Sequence, residues 1–577
     1  MNFQLRPPPS FDRKIWHLNR ASVCVPLIRR AIRSFSWADH FNKNPDPNWQ
    51  AEQFTKILLN IMSNFIPNET VKVKPRDPPW ITKTIKTMLN RQSRMYKSYK
   101  KHGYLDADKK RLDDFRDEIK TVINAVKENY LCKIGYDLAD PEIGQKCYWK
   151  IVDRIMNKCK APKIPPILNG SRYITNFKEK ATMFAKYFEQ QCKPLVNDSI
   201  LPAFHYLTHA RIDSIPISLD EITSLIRSLD KGKASGPDLI SAQMLLLCDD
   251  SITLPLKLIF DQILLTGIYP DIWKLANVTP INKKGDKQSV KNYRPISLLP
   301  ICGKLFEKII VNHLYDYFTA NNLITKNQSG FRLGDSTSNQ LTELVNQIHI
   351  ALENRHEVRA VFLDISKAFD KVWHEGLLFK LKQNGVTGPL SILLENYLAN
   401  RKQRVVLNGS SSTFFDIESG VPQGSVLGPL LFLIYINDLE DDIKSKIKFF
   451  ADDTMLFSVV SNPYESASDL NHDLSIISEL AYQWKMAFNP EPTKQAIELL
   501  FSHNIRPVCQ SSIFFNSIAV EKAANHKHLG LILDTKLSFS AHVTEKLGKN
   551  KKSLGILKNI SVSSKVLFKI IEKMKLE

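Results

Sequence analysis

The stretch Phe449-Phe450-Ala451-Asp452-Asp453-Thr454-Met455-Leu456-Phe457 places two adjacent carboxylates inside an apolar run. Burying two neighbouring acids is costly unless a cation compensates their charge, so the run predicts a site for a divalent cation. β-prone residues flank the pair on both sides, and we expect them to form a hairpin with the acids at its turn. An ordinary turn would use the same residues, so the pair alone does not decide the function.

A second apolar run lies upstream and also carries an acid. Residues Ala360-Val361-Phe362-Leu363-Asp364-Ile365 are typical of a strand, and helical spacing begins after them. A metal site made of hard oxygen ligands needs carboxylates from separate strands, and Asp364 supplies the second strand. The two acidic sites together favour a polymerase palm.

The composition indicates a large, basic protein with several packed domains. The 577 residues are 43% hydrophobic and carry 79 Lys and Arg against 59 Asp and Glu, a formal net charge of +20. This charge favours a polyanionic partner, either nucleic acid or an anionic membrane surface. The longest apolar runs, such as 429–436, are too short to span a bilayer, so we expect no transmembrane helix.

The eight cysteines predict free thiols. The amino terminus lacks the apolar core of a secretory signal, which indicates a reducing compartment. None of the cysteines forms a C-x-x-C pair or has a close histidine partner, so we expect no structural zinc.

The pattern along the chain predicts three regions. Residues 1–204 form a mainly helical, basic N-terminal extension, in which a long periodic stretch begins at Asp106 and continues through Leu131. Residues 205–535 alternate strands and helices, which indicates an α+β or mixed α/β architecture. The remaining residues include nine lysines and three glutamates at positions 541–577, on helical spacing.

One segment of the extension has the composition of a nucleic-acid contact. Residues 76–101 contain eight basic residues and one acid, interleaved with Trp80, Tyr96 and Tyr99. Cations suit phosphates and aromatic rings suit base stacking. A solvated helix face would show the same composition.

A loop rich in Gly and Pro, residues 419–429, separates the two acidic sites. It leads into an apolar helix, which Ser425 can cap and whose start tolerates Pro429. Gln423 stands beside a glycine at the helix entrance, where it could touch a flat ligand. A structural turn would use the same glycines.

Seven motifs in this order resemble those of reverse transcriptases of the non-LTR (LINE-type) retrotransposon family, of the jockey and CR1 groups. The resemblance covers residues 205 to about 545 and includes both acidic sites. The other motifs are Lys233-Ala234-Ser235-Gly236-Pro237-Asp238, Asn292-Tyr293-Arg294-Pro295-Ile296-Ser297, Gln328-Ser329-Gly330-Phe331-Arg332, Trp484-Lys485-Met486-Ala487-Phe488-Asn489-Pro490-Glu491-Pro492-Thr493-Lys494 and His528-Leu529-Gly530.

The resemblance implies an α+β, right-hand polymerase fold. Fingers and palm would occupy residues 205–535, with a core reverse transcriptase domain at about 264–534, and a partial thumb would follow at 536–577. Residues 1–204 more loosely resemble the connector that precedes the polymerase in such elements. No endonuclease domain is recognisable in them.

The resemblance also implies a metal site. Asp364 and Asp452 would bridge two Mg²⁺ ions with the help of Asp453, and Mn²⁺ could substitute. Lys494 would be the general acid for the departing pyrophosphate, and Gly530 would mark a hairpin at the primer strand. Asp370 and Asp438 are assigned structural roles.

The nucleotide site follows from the same resemblance. Phe369 would crowd the sugar 2′ position and exclude ribonucleotides, although it would also suit an apolar core face. Gln423 would line the sugar and base. Arg294 and either Lys283 or Lys284 would grip the triphosphate, and the alternative for both lysines is a solvated surface position.

The implied activity is RNA-directed DNA synthesis, with an RNA template, a DNA primer and dNTPs as partners. A viral RNA-dependent RNA polymerase is disfavoured for two reasons. Ala451 stands where those enzymes usually carry Gly, and Phe369 stands where they resemble one another in having a polar residue that accepts the ribose. A group II intron maturase is a nearer alternative. A catalytically inactive, nucleic-acid-binding remnant of a mobile element is the alternative of a different class.

Overall fold

The computed structural model describes residues 11–18, 23–73, 80–139, 151, 164–193, 200–202, 208–283, 285–489, 491, 494–504 and 511–548. Lys284 and the basic segment beyond residue 548 therefore lie outside the described residues. Across the ranges that are described, no helix combines the length and the apolar character needed to cross a membrane. The α-helices are α1 (Val25–Ser34), α2 (Trp37–Phe41), α3 (Pro47–Phe65), α4 (Lys83–Lys101), α5 (Asp106–Ala139), α6 (Phe177–Gln191), α7 (Leu219–Arg227), α8 (Ala242–Cys248), α9 (Thr253–Thr266), α10 (Asp271–Lys274), α11 (Ile301–Ala320), α12 (Thr337–Glu353), α13 (His374–Gln383), α14 (Gly388–Leu398), α15 (Gly428–Ile436) and α16 (Pro463–Gln483).

Within the described residues, the strands form two five-stranded sheets and four two-stranded sheets. They are β1 (Phe11–Trp16), β2 (Asn68–Val73), β3 (Ile167–Asn169), β4 (Arg172–Ile174), β5 (Leu275–Asn282), β6 (Tyr293–Leu298), β7 (Glu357–Asp364), β8 (Arg401–Leu407), β9 (Ser410–Ser411), β10 (Phe415–Ile417), β11 (Lys446–Phe450), β12 (Asp453–Val460), β13 (Ala496–Phe501), β14 (Phe514–Phe515), β15 (Ile518–Ala519), β16 (Glu521–Lys522), β17 (Asn525–His528) and β18 (Leu531–Asp534).

The chain divides into two compact units. One comprises residues 11–72 and 164–539, and the described part of the other lies mainly in residues 80–139. Helices α1, α2 and α3 belong to the first unit because their apolar faces enter the same core as residues 215–515. This grouping differs from the composition boundary near residue 204.

The first of the large sheets has the order β11-β12-β7-β13-β16, with β7 at its centre. Alternate residues of β7 are buried on opposite faces. Val358, Ala360 and Phe362 pack with α12, while Val361 and Leu363 enter the main core. Burial on both faces explains the nearly continuous apolar run in this strand, in which only Asp364 is exposed.

The second large sheet has the order β10-β8-β5-β6, with β9 paired to β8. Helix α6 covers one face of it, where Phe184 and Phe188 pack with Val278, Tyr293 and Val405. Strands β5 and β6 are antiparallel neighbours. This pairing brings the two ends of the intervening loop, which contains Lys283 and Lys291, to one side of the sheet.

The described part of the smaller unit consists mainly of helices α4 and α5, joined by a four-residue connection. The guanidinium of Arg91 on α4 lies 5.1 Å from the ring centre of Phe115 on α5, which is buried beside Leu112 and Ile119. Helix α5 begins at Asp106 as the sequence predicted. Helix α4 carries seven basic residues and no acid, and all seven are exposed.

Candidate active site

Three carboxylates meet at one edge of the central sheet. Asp364 is the last residue of β7 and Asp453 is the first of β12, and the two stand directly opposite each other in the antiparallel register. Phe450 pairs with Asp453, so Ala451 and Asp452 form a two-residue turn. The predicted hairpin is therefore confirmed. Side chains of directly opposed residues share one face of a sheet, which brings acids distant in sequence together.

The electrostatics of this edge are unfavourable without a cation. Burial raises the pKa of Asp452. The pKa of Asp453 is raised to about 6, mainly by desolvation and also by the charges of Asp452 and Asp364. Arg294 opposes both shifts across the cleft. A bound divalent cation would remove the mutual repulsion, so the donor chemistry of these hard oxygen ligands fits such an ion.

The side chains do not form a closed metal cage as they stand. Within the described ranges, no three His, Cys, Asp or Glu side chains are arranged so that they could hold a metal ion. Mg²⁺ usually retains waters and binds one or two carboxylates together with substrate phosphates. An all-protein cage is therefore not required for that ion.

Gln328 holds the hairpin turn in place. Its buried Oε1 accepts hydrogen bonds from Ala451 N at 2.9 Å and Gly330 N at 2.8 Å. Ala451 has a φ of 56°, a left-handed conformation that is unfavourable for a residue with a Cβ. A Cβ on Gly330 would lie 2.3 Å from Ala451 N, so only glycine allows this approach. The contacts fix the backbone that carries Asp452.

Asn489 orients the carboxylate of Asp364. Its Nδ2 donates to Asp364 Oδ2 at 2.7 Å, and its backbone N–H donates to Asp364 O at 3.0 Å. The Oδ1 atom of Asn489 accepts from Glu491 N at 3.0 Å, which leaves the amide nitrogen facing the acid. Hydrogen bonds of this kind fix the rotamer of a ligating carboxylate.

A cleft with a volume of about 700 Å³ joins the acids to most of the predicted nucleotide site. It is lined by Asp364, Asp452 and Asp453, and by the predicted residues Lys283, Arg294, Phe369 and Gln423. The same walls contain cations and polar groups that sequence reasoning missed. They are Tyr187, Lys291, Lys367 and Asn489.

Lys367 is the most enclosed of the missed cations. It stands three residues after Asp364, with a φ of 51°, and its Nζ lies 5.4 Å from the ring centre of Tyr187. Burial lowers the pKa of Lys367, and the charge of Asp370 opposes this shift. Lys367 lies in the sequence between Asp364 and Phe369, two predicted site residues, and this position could have indicated that it belongs to the site.

Phe369 belongs to both the cleft and the core. Its ring stacks on Phe432 at 4.8 Å and meets Phe331 edge-on at 5.9 Å. The sequence predicted an α-helix at this point, which is wrong: Ala368–Asp370 is a single 3₁₀ turn, and α13 begins at His374. The left-handed backbone at Lys367 prevents a regular helix from running through that residue.

The loop that carries Gln423 is anchored by buried polar groups. Ser425 Oγ accepts from Gly428 N, the first residue of α15, although the N-cap residue of this helix is Leu427 and no side chain caps it. The buried Glu307 on α11 accepts from Val426 N at 2.6 Å and Leu427 N at 3.2 Å. Sequence reasoning missed Glu307, although its position on the face of α11 that Phe306 and Ile310 also bury was a signal.

Two predicted residues lie outside the lining of the cleft. Lys494 is exposed and forms an ion pair with Glu491. Gly530 has a φ of 91° and forms, with Leu529, the two-residue turn between β17 and β18. The predicted hairpin at Gly530 is confirmed, while its contact with a primer stays a prediction.

Comparison with known proteins agrees with the resemblance to reverse transcriptases that the sequence motifs show. Residues 281–533 match the family model for reverse transcriptase (RNA-dependent DNA polymerase). The RNA-directed DNA polymerase from mobile element jockey is 34% identical over 383 residues in Drosophila melanogaster, covering 63% of this chain and 41% of that protein. Its counterpart in Drosophila funebris is 31% identical over 442 residues, covering 73% and 47%.

A third relative supports the same grouping. The probable RNA-directed DNA polymerase from transposon X-element of Drosophila melanogaster is 31% identical over 411 residues, which is 69% of this chain and 44% of that protein. The chain spans less than half the length of these curated relatives. The fold and the cleft thus define a polymerase-type domain. Residues 281–533 match a reverse transcriptase domain, and the chain is similar to the RNA-directed DNA polymerases of the jockey and X-element mobile elements.

Proposed function

We propose that this chain catalyses RNA-directed DNA synthesis, transferring a nucleotide from a dNTP to the 3′ hydroxyl of a primer on an RNA template. One observation carries the proposal. The cleft places three carboxylates on one wall and the cations Arg294, Lys283 and Lys291 among its other lining residues. A triphosphate needs cations for its phosphates, and its transfer needs divalent ions held by acids.

Asp364, Asp452 and Asp453 would hold two Mg²⁺ ions, with Mn²⁺ as a possible substitute. Such ions lower the pKa of the primer hydroxyl and neutralise the charge of the triphosphate and pyrophosphate. Asn489 keeps Asp364 in a fixed orientation, and Gln328 fixes the turn that carries Asp452. These residues supply a preorganised set of oxygen ligands.

The remaining cleft residues would bind the nucleotide. Arg294 offers a bidentate contact to phosphate, and Lys283 and Lys291 add positive charge beside it. Phe369 would face the sugar and exclude a 2′ hydroxyl, while Gln423 would line the sugar and base. These roles agree with the position of all five residues in the cleft lining.

Lys494 remains the proposed general acid for pyrophosphate, and its ion pair with Glu491 would have to open for that role. Gly530 remains the proposed primer contact. We assign the sheet containing β7 to the palm, the sheet containing β5 and β6 to the fingers, and residues from 536 onward to part of a thumb.

The basic helix α4 would hold template RNA. Its seven exposed cations face no acid on the same helix, and Tyr96 and Tyr104 nearby are exposed aromatic rings. Phosphate contacts of this kind weaken as salt rises, because binding releases condensed counterions. A steep loss of RNA affinity with salt would support this role.

Primer extension tests the proposed activity. Purified protein with poly(rA)/oligo(dT), dTTP and Mg²⁺ should extend the primer, and Asp452→Asn should not. Asp416→Asn is a matched control because Asp416 is an exposed acid of the same unit and lies outside the cleft. Equal signals from the wild type and Asp452→Asn, or no signal from either, would favour the inactive, nucleic-acid-binding remnant.

A further inference from the structure

The segment that carries Phe369 and the loop that carries Gln423 form one hydrogen-bonded unit. Val421 N donates to Phe369 O at 2.7 Å, and Gly420 N donates to Val372 O at 2.8 Å. Gly420 has a φ of 90°, and a Cβ there would lie 2.7 Å from the carbonyl group of Asp370. The two segments are therefore in direct backbone contact, and neither can shift without the other.

A side-chain contact completes this unit. Gln423 Nε2 donates to Asp370 Oδ1 at 2.8 Å. An ionised carboxylate only accepts hydrogen bonds, so it selects the amide nitrogen of Gln423 rather than its oxygen. The amide oxygen receives no hydrogen bond from the residues that the structure describes, and Gln423 lines the cleft. Asp370 thus decides which end of the amide is available to a ligand.

The charge on Asp370 is enclosed but supported. Burial raises the pKa of Asp370 to about 6, while the hydrogen bond from Gln423 and the charges of Lys367, Lys283 and Lys371 oppose that rise. Tyr187 and Cys192 also face it, and burial raises the pKa of each, so both stay neutral near pH 7. At neutral pH the carboxylate is therefore ionised and able to orient Gln423.

We propose that Asp370 is a positioning residue that holds the Gln423 amide with its oxygen toward the sugar or base of the incoming nucleotide. This inference rests on the proposed function and adds a residue that neither the motif pattern nor the metal site requires. Gln423 is tied through Val421 to Phe369, the residue proposed to face the sugar. Its oxygen is then an acceptor for a hydroxyl or amino group of the nucleotide.

Steady-state primer extension with dTTP measures the effect. Asp370→Asn should raise the KM for dTTP about tenfold with little change in kcat, because one oriented hydrogen bond is lost from substrate binding. Asp370→Glu should recover part of the loss. In a Gln423→Met background the change at Asp370 should add no further effect, since the group it positions is absent. An equal rise in KM in that background would overturn the proposal.

The pH dependence provides a readout that a purely structural role would not change. Protonation of Asp370 in the wild type removes the preference for the amide nitrogen, so the KM for dTTP should rise as pH falls from 7.5 to 5.5. Asp370→Asn is neutral throughout, so the ratio of the two KM values should approach one at low pH. A ratio that stays constant with pH would overturn the proposal.

The two proposals fail in different ways. Absence of primer extension by the wild type would overturn the proposed function, whereas extension with an unchanged KM in Asp370→Asn would overturn only the positioning role. The dissociation constant of dTTP, measured by calorimetry on a dideoxy-terminated primer–template complex, is a second measure that does not depend on turnover. Circular dichroism of each variant identifies loss of folding.

Discussion

Strand β7 contributes one charged residue to each of two groups, a buried ion pair and a cluster of acids, and the two groups differ in how their charge is compensated. Arg359 and Glu498 are both fully buried and form an ion pair at 2.7 Å in the interior of the sheet. Asp364, five residues further along β7, stands beside Asp452 and Asp453, and the charges of Asp452 and Asp364 raise the pKa of Asp453. The interior charges neutralise each other, whereas the edge charges repel one another.

The difference supports the proposal that the edge is the functional part of the sheet. A buried charge without a partner lowers the free energy of unfolding by roughly 3–5 kcal/mol, so an acid in the interior needs an ion-pair partner. At the rim of a cleft the same repulsion can be tolerated because a bound cation relieves it. Uncompensated acids at a strand end therefore point to a binding site more strongly than buried ion pairs do.

The largest expected effect comes from changing one acid in each group. Asp364→Asn should lower primer extension about a thousandfold or more, because a metal-held transition state loses several kcal/mol of stabilisation. Its thermal midpoint should stay the same or rise, since repulsion at the edge decreases. Glu498→Gln should instead lower the midpoint. If Asp364→Asn loses stability and keeps activity, the distinction between edge and interior is wrong.

The second prediction concerns the interior pair. Arg359→Met should lower the free energy of unfolding by about 3–5 kcal/mol, because Glu498 then remains buried and unpaired. Arg359 also donates to Ser511 O at 2.8 Å, and that bond would be lost as well. The double variant with Glu498→Leu should recover most of the stability. Urea unfolding of the three proteins measures this, and no recovery in the double variant would contradict it.

The acids themselves were predictable from the sequence because each interrupts an apolar run. Asp364 was expected at a strand end and Asp453 at a hairpin turn, and the structure places Asp453 at the start of β12, opposite Asp364. Hydrophobic alternation determines where a strand lies and which face is buried, so local pattern was sufficient here. The start of α5 at Asp106 was predictable from the helical periodicity that begins there.

The residues that hold the acids could not be found in this way. Asn489 contacts Asp364 across 125 positions, and Gln328 contacts Ala451 across 123. Neither breaks a local pattern, because amide side chains are common in loops. Their roles arise only when the sheet and the loops are assembled. The 3₁₀ turn after Asp364 was missed because the positive φ of Lys367 has no sequence signature.

The third prediction tests whether Asn489 orients the carboxylate of Asp364. Asn489→Leu should lower kcat about 10- to 100-fold, because the carboxylate of Asp364 loses the hydrogen bond that orients it. The Mg²⁺ concentration needed for half-maximal rate should rise in parallel. Asn504→Leu is a control, since Asn504 lies on the same unit and donates to Glu357 rather than to a cleft acid. An unchanged Mg²⁺ requirement in Asn489→Leu would show that Asn489 only supports its loop.

Phe369 gives the smallest expected effect and touches both regions, because its ring lines the cleft while stacking on the buried Phe432. Phe369→Val should raise the use of ribonucleotides relative to deoxynucleotides about tenfold, since a smaller side chain leaves room for the 2′ hydroxyl. Phe432→Leu should lower stability by about 1 kcal/mol and leave sugar selection unchanged, because it alters only the packing beneath the ring. Competition between UTP and dTTP in single-nucleotide extension measures both variants. If Phe432→Leu relaxes sugar selection as much as Phe369→Val, selection depends on general packing of the cleft wall and not on the ring of Phe369.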